Sequence, residues 1–198
     1  MKLSDLSEIT LGTNISRLEP ASETDEVIFL PMVTMQDITY YSGYKMDLQP
    51  AHSTARISAS KKELCLFARP GDLLYGFTQF RSVVVGDVLK GRLVPSNLAL
   101  IRINTAALDP FYLMWALNEG PCSKEKIYPQ IQGMGPVKLI KPADLRDLEI
   151  GTPPPMEKQK RIGGLYRLLL KRKIIGKAIE DKESMLLLAA MRKIERED

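Results

Sequence analysis

Residues 153–198 read PPPMEKQKRIGGLYRLLLKRKIIGKAIEDKESMLLLAAMRKIERED. Three successive prolines cannot lie inside a helix, because each lacks an N–H and its ring crowds the preceding turn. Proline is tolerated in a first helical turn, so Pro155 marks a helix start. No proline follows it, and from Met156 onward most residues are strong helix formers. Ile162, Leu165 and Leu169 fall at spacings of three and four, and after a basic break Ile175, Ile179, Leu186 and Ala189 continue the apolar positions. This pattern predicts one continuous helix with an apolar stripe.

Such a helix runs to about 40 residues, or roughly 60 Å at 1.5 Å per residue. That is longer than the core of a chain this size covers, and an apolar stripe of that length is usually buried against another helix. The segment is therefore expected to be a protruding arm for dimerisation or docking, with 1–152 as the globular head and 153–198 as the arm. The competing expectation is an ordinary terminal helix packed on its own domain. Gly163, Gly164 and Gly176 weaken the arm locally and let a partner helix approach closely.

The chain has 198 residues, enough for one domain with an appendage. No long apolar run predicts a membrane span, and the opening MKLSDLSEIT has no apolar signal core. Cys65 and Cys122 are isolated, without metal-like spacing, which suggests a reducing cytoplasm. The formal charge of +4 is unevenly divided: residues 156–198 carry +5 and the remainder −1. A basic face on the head must then come from placement rather than excess. The first half of the arm is basic; a solvated helix face is the commoner explanation of such a run, and a surface for phosphate or an acidic partner is the sharper one.

Upstream, the pattern is α+β, a mixed globular fold without a βαβ alternation or a fixed repeat. Residues 2–10 suggest a short helix or strand start. EVIFLPMV at 26–33 reads as a strand with Pro31 at an edge. Residues 35–38 read as a single turn, and 40–44 as a turn with aromatics. Strands are expected at 73–75, 83–88, 98–103, 137–140 and 147–150, with 76–81 as an exposed connection. Asp109 and Pro110 open a helix that Gly120 stops.

Signatures of a self-contained enzyme are missing. There is no GxxxxGK[ST] loop, and His52 is the only histidine, which argues against a histidine-based metal site. No pair of carboxylates is spaced in a way that compels acid–base chemistry.

The order of motifs says more. KLSDLSEITLG is followed by RPGDLLYGF, then by SNLALIRIN with LDPFYLMWALN, and then by QGMGPVKLIKPADLRDLEIGTPPPMEKQKRI leading into the long helix. This order resembles one half of the DNA-specificity subunit of type I restriction-modification systems. Pro154, Pro155, Gln159 and Ile162 match the family pattern at the join, while Lys158 stands where that pattern has an acidic residue. The resemblance implies a target-recognition domain followed by a long helix that pairs antiparallel with a partner helix. It also implies a half-size subunit whose homodimer reads a two-part site on double-stranded DNA. S-adenosylmethionine and ATP would belong to partner subunits, one for methylation and, where present, one for restriction; the chain itself would hold no cofactor and no metal and catalyse nothing.

The chemistry of the side chains nominates DNA contacts. Thr78, Gln79 and Arg81 in one loop, and Gln132 and Met134 in another, are candidates to read bases, since Gln and Arg pair with adenine and guanine edges. Arg56, Lys61, Lys62, Arg69, Lys124 and Lys138 are candidates to hold phosphates. Ile162, Leu165, Leu169, Ile175, Ile179, Leu186 and Ala189 are the expected dimerisation stripe. The alternative to the DNA reading is a protein-interaction module with a coiled-coil docking helix, and a small hydrolase or nuclease is a third class.

Overall fold

The computed structural model describes residues 1–47, 49–120, 122, 127 and 140–196. The head is built on a four-stranded antiparallel sheet in the order β1-β6-β4-β5, from Ser7–Leu11, Leu98–Ile103, Leu73–Gly76 and Arg81–Val84. β4 and β6 are central, which is why LLYG is buried throughout and LALI of β6 likewise. Register is fixed by pairs such as Ile9 with Ile101 and Leu74 with Leu100. Helices α1 (Met35–Tyr41) and α2 (Pro110–Asn118) pack against β4 and β5, closing the main core around Leu73, Leu100, Leu113 and Leu117.

A second, two-stranded sheet pairs β2 (Val27–Met32) with β3 (Ser53–Ser58). Its inner face covers a smaller core with Leu18, Ala55, Ile57 and Leu93. Leu93 is tied to the end of β2: its N–H donates to the Pro31 carbonyl and its own carbonyl accepts from the Val33 N–H.

Local chemistry explains the helix ends. The Thr34 hydroxyl accepts from the Asp37 amide at 3.1 Å while the Asp37 carboxylate accepts from the Thr34 N–H at 2.7 Å, a reciprocal cap. Asp109 caps α2 by accepting from Tyr112 N–H at 2.8 Å, with Pro110 in the first turn. A short helix α3 (Pro142–Arg146) precedes the arm. The arm itself, α4, runs unbroken from Met156 to Arg196, 41 residues.

Several expectations need correction. The turn at 35–38 is a two-turn helix with Tyr40 buried in it. β5 ends at Val84 rather than Val88, because the chain turns at Gly86-Asp87. Residues 147–150 make only an isolated bridge between Lys2 and Glu149, since the N-terminal stretch curls into a 3-10 turn at Leu3 and offers no longer partner. The connection 76–81 is largely covered, with Phe77 inside the core. The expected strand at 137–140 falls, apart from Ile140, outside the described residues.

Candidate nucleic-acid interface and arm surface

The arm leaves the head through a polar socket. Gln159 is buried at the first turns of α4. Its side-chain carbonyl accepts from Asp109 N–H at 2.9 Å, and its amide donates to Ala107 O at 3.2 Å and Pro154 O at 2.8 Å. One side chain thus joins the N-cap of α2, the loop before it and the proline run. One turn on, Gly163 lies against the same cap: a Cβ there would stand 2.8 Å from Tyr112 N and closer still to Asp109 Oδ1. The close approach expected of the glycines is real at Gly163, but the helix that approaches is α2 of the same chain. Gly164 and Gly176 face open space.

Tyr166 follows at the next turn. Its hydroxyl accepts from Asn118 Nδ2 at 3.3 Å, and burial pushes its phenol above the ordinary value, partly offset by that hydrogen bond. Asn118 is itself locked to β5, accepting from Ser82 N–H at 2.7 Å and donating to Ser82 O at 2.9 Å. Leu170 completes the docked face, buried in the main core. Gln159, Gly163, Tyr166 and Leu170 recur at the spacing of one helical face.

Higher up, a polar strap holds the arm to Gly43, Asp47 and Gln49. Lys173 donates to Gly43 O at 3.1 Å, and Gln49 donates to Asp181 at 2.9 Å. Lys177 pairs with Asp181 at 2.9 Å and approaches Asp47 at 4.0 Å. The hydrogen bond to Asp181 raises the Lys177 pKa.

The sequence-nominated DNA contacts divide into three places. Arg56 is exposed on the outer face of β3, directly opposite Phe29 of β2, itself 64% exposed. Lys61 and Lys62 follow on the 3-10 turn Ala59–Leu64. The Lys61 ammonium donates to the carbonyls of Arg17 and Glu19, both at 3.1 Å, so it braces the loop around the smaller core; Lys62 is exposed.

Arg69 sits on the turn before β4, and Thr78 and Gln79 sit on the turn after it. The four residues of β4 hold these groups roughly 13 Å or more apart at 3.3 Å per residue. Asp72, beside Arg69, is pushed up by burial, against the pull of the Arg69 N–H and the Arg102 guanidinium. Thr78 donates to Gln79 Oε1 at 3.0 Å, and Gln79 folds back over Gly76.

Arg81 is committed to the fold. Its guanidinium donates to Asn118 O, pairs with Glu119 at 3.0 Å and lies 4.4 Å from the centre of the Tyr44 ring. Lys124, Gln132, Met134 and Lys138 lie outside the described residues. Phe29 escaped sequence reasoning, although strict alternation along VIFLPM would have put it on the outer face with Pro31. Among the described residues no group of three or more His, Cys, Asp or Glu side chains is placed to hold a metal ion, and no helix is long and apolar enough to cross a membrane.

The expected arm stripe is uncovered. Leu165, Leu169, Ile175, Ile179, Leu186 and Ala189 are exposed, and Ile162 is partly covered. Among the described residues, eleven of the seventeen exposed large apolar side chains stand on α4, so the exposed apolar surface described is concentrated on the arm. Beyond Asp181 every described residue is exposed.

No protein-family model matches the chain, and no curated protein matches it. Solved structures do. The HsdS subunit from Thermoanaerobacter tengcongensis is 22% identical with a TM-score of 0.54, the match covering 89% of this chain and 38% of that one. A chain from a structure of type I R-M system assembly and conformational transition is 15% identical with a TM-score of 0.58, over 98% of this chain and 48% of that one. The type I restriction-modification S subunit from M. genitalium is 12% identical with a TM-score of 0.56, over 93% and 42%. The chain therefore has the α+β fold of type I S subunits, long helix included, and spans less than half the length of each of these chains.

Proposed function

We propose that this chain is a DNA-recognition unit of a type I restriction-modification system. Its head reads part of a double-stranded target, and its arm pairs antiparallel with a second arm to set the distance to another head. The observation that supports this most strongly is the S-subunit fold with its arm seated in the head by one face and its apolar stripe left bare. In this reading the chain works in the cytoplasm as a homodimer and reads a bipartite site. It directs a methylation subunit and, where the system has one, a restriction subunit. Catalysis, S-adenosylmethionine and ATP belong to those partners.

The basic groups offered to phosphate are the exposed Arg56, Lys62 and Arg69, with Thr78 and Gln79 as base readers; Lys124, Gln132, Met134 and Lys138 are nominated by chemistry alone. Arg81 and Lys61 act in this scheme by holding the loops that carry their neighbours. Because the head is nearly neutral, it is expected to bind DNA weakly without its partner, since phosphate neutralisation supplies much of the affinity.

Selection from randomised duplexes tests the proposal, run with the chain alone and with a methylation subunit. The expected result is an enriched two-part motif in the presence of the subunit. Random recovery in both settings would remove the DNA reading and leave a protein-interaction module.

A further inference from the structure

Between the arm, α2 and β5 lies an apolar groove of about 320 Å³. β5 contributes Val83 and Val84, α2 contributes Phe111 and Met114, and α4 contributes Leu170 and Ile174. The turn after β5 adds Leu89. Val83, Leu89, Met114 and Leu170 are buried and make the floor, while the lining residues Val88 and Ile175 are exposed and make the lip.

The charge around this floor is mainly positive. Arg167 and Lys171, one helical turn apart on α4, line the groove and are exposed. Among the described residues neither meets a carboxylate; the Arg167 guanidinium lies 5.4 Å from the centre of the Phe111 ring, a wall of the same groove. Asp87 is the acidic residue on the lining, and Lys90 already engages it at 3.1 Å. Tyr41 also lines the groove, and its hydroxyl has no hydrogen-bond partner among the described residues. Burial, reinforced by the Asp37 carboxylate and opposed by Arg92, holds this phenol above its ordinary value, so it keeps its proton at neutral pH.

We propose that the groove binds a small amphipathic carboxylate, with its apolar body on Val83, Met114 and Leu170 and its anionic end at Arg167 and Lys171. Apolar walls with a few polar groups are the usual make-up of a small-molecule site, and the two cations fix the orientation. A neutral ligand leaves both cations without a counter-charge, and a cationic one faces repulsion. The volume stands at the small end of the range for ligand sites. It does not suit a docked helix, one turn of which, about 10 Å wide and 5.4 Å high, takes up roughly 400 Å³. Because the walls come from both head and arm, a bound ligand touches α2, β5 and α4 at once and stabilises the seat of the arm. The inference stands on the groove and is independent of the DNA reading.

Octanoate is the probe, with 1-octanol and octylammonium as neutral and cationic analogues. Each is titrated at neutral pH into the full-length chain labelled with carbon-13 at the methionine methyls, and the Met114 signal is assigned with Met114→Leu. The expected result is a saturable Met114 shift with octanoate, while Met185 and Met191, exposed on the distal arm, stay in place. Octanol should bind more weakly and octylammonium should leave Met114 unmoved. Joint Arg167→Gln and Lys171→Gln, at two exposed sites, should weaken octanoate about tenfold or more and leave octanol unchanged. The thermal midpoint should rise with octanoate, and rise less in the double variant. Equal shifts at all three methionines mean adsorption to bare apolar surface and overturn the proposal. So does octanol binding as tightly as octanoate, an unchanged octanoate affinity in the double variant, or a Met114 signal that never moves. Selection from randomised duplexes succeeds or fails separately from each of these outcomes.

Discussion

The two halves of α4 are one continuous helix with similar helix-forming composition, yet they obey different constraints. Up to Asp181 the helix touches its own head through a narrow face of Gln159, Gly163, Tyr166 and Leu170, extended by Lys173, Lys177 and Asp181. Only one of the four buried residues is aliphatic, and the face relies on hydrogen bonds and close backbone approach. Beyond Asp181 every described residue of the helix is exposed, and the stretch is rich in large apolar side chains. The contrast teaches that an apolar stripe is a poor guide to which face of a long helix its own domain takes. The head took the face with shape and polar complementarity, and the oily face was left bare.

Two leucines on the same helix give the sharpest way to break this comparison. Leu170→Ala removes a side chain buried in the core and is expected to cost about 2–5 kcal/mol. Leu187→Ala, at an exposed site, is expected to change the stability of the isolated monomer by no more than about 0.5 kcal/mol. Urea titration of dilute protein measures both. If the two costs came out equal, the division of the helix into docked and free halves would fail.

The glycines sharpen it further. Gly163→Ala drives a methyl group into the α2 cap, an overpacking expected to cost about 1–3 kcal/mol. Gly164→Ala meets open space and is expected to stabilise by about 0.5–1 kcal/mol through helix propensity. Neighbouring residues with opposite signs of effect, read as thermal midpoints, would show that Gly163 is held by α2 and not by helix preference. Gln159→Leu should fall in a similar range, about 1–3 kcal/mol, because it strips the acceptor from Asp109 N–H and the donor from two carbonyls.

These residues also show where the sequence was legible. The arm was visible because a proline run meets forty residues free of proline, and α2 because Asp109-Pro110 is a strong start signal. β2, β4 and β6 were visible as compact β-branched or aliphatic runs. β3 was not: STARIS is half serine and threonine, and it is a strand because β2 lies beside it. The socket was hidden for the same kind of reason. Gln159 looks like a surface residue until Ala107 and Asp109 are brought to it across some fifty positions of chain. Arg81 looked like a base reader because nothing local reveals that Asn118, Glu119 and Tyr44 converge on it. Phosphate and base contacts on the head are least legible, since an exposed lysine looks alike in sequence whether it meets DNA or water.

The smallest expected effect tests whether the polar part of the docked face contributes energy as well as orientation. Tyr166→Phe keeps the ring in place and deletes its hydrogen bond to Asn118, a loss of about 0.5–1.5 kcal/mol. The same hydroxyl makes a pH signature that the distal half of the helix cannot imitate. Burial holds the folded pKa above the ordinary value of 10.0, so the unfolded chain gives up this proton first as pH rises. The stabilisation linked to neutral Tyr166 is complete below pH 10 and is lost as pH climbs toward the folded value. The difference in unfolding midpoint between wild type and Tyr166→Phe should therefore hold constant from neutral pH to about 9 and shrink above 10. A difference independent of pH across that window would place Tyr166 in contact with water and would open the socket at the point where the arm is held most closely to β5.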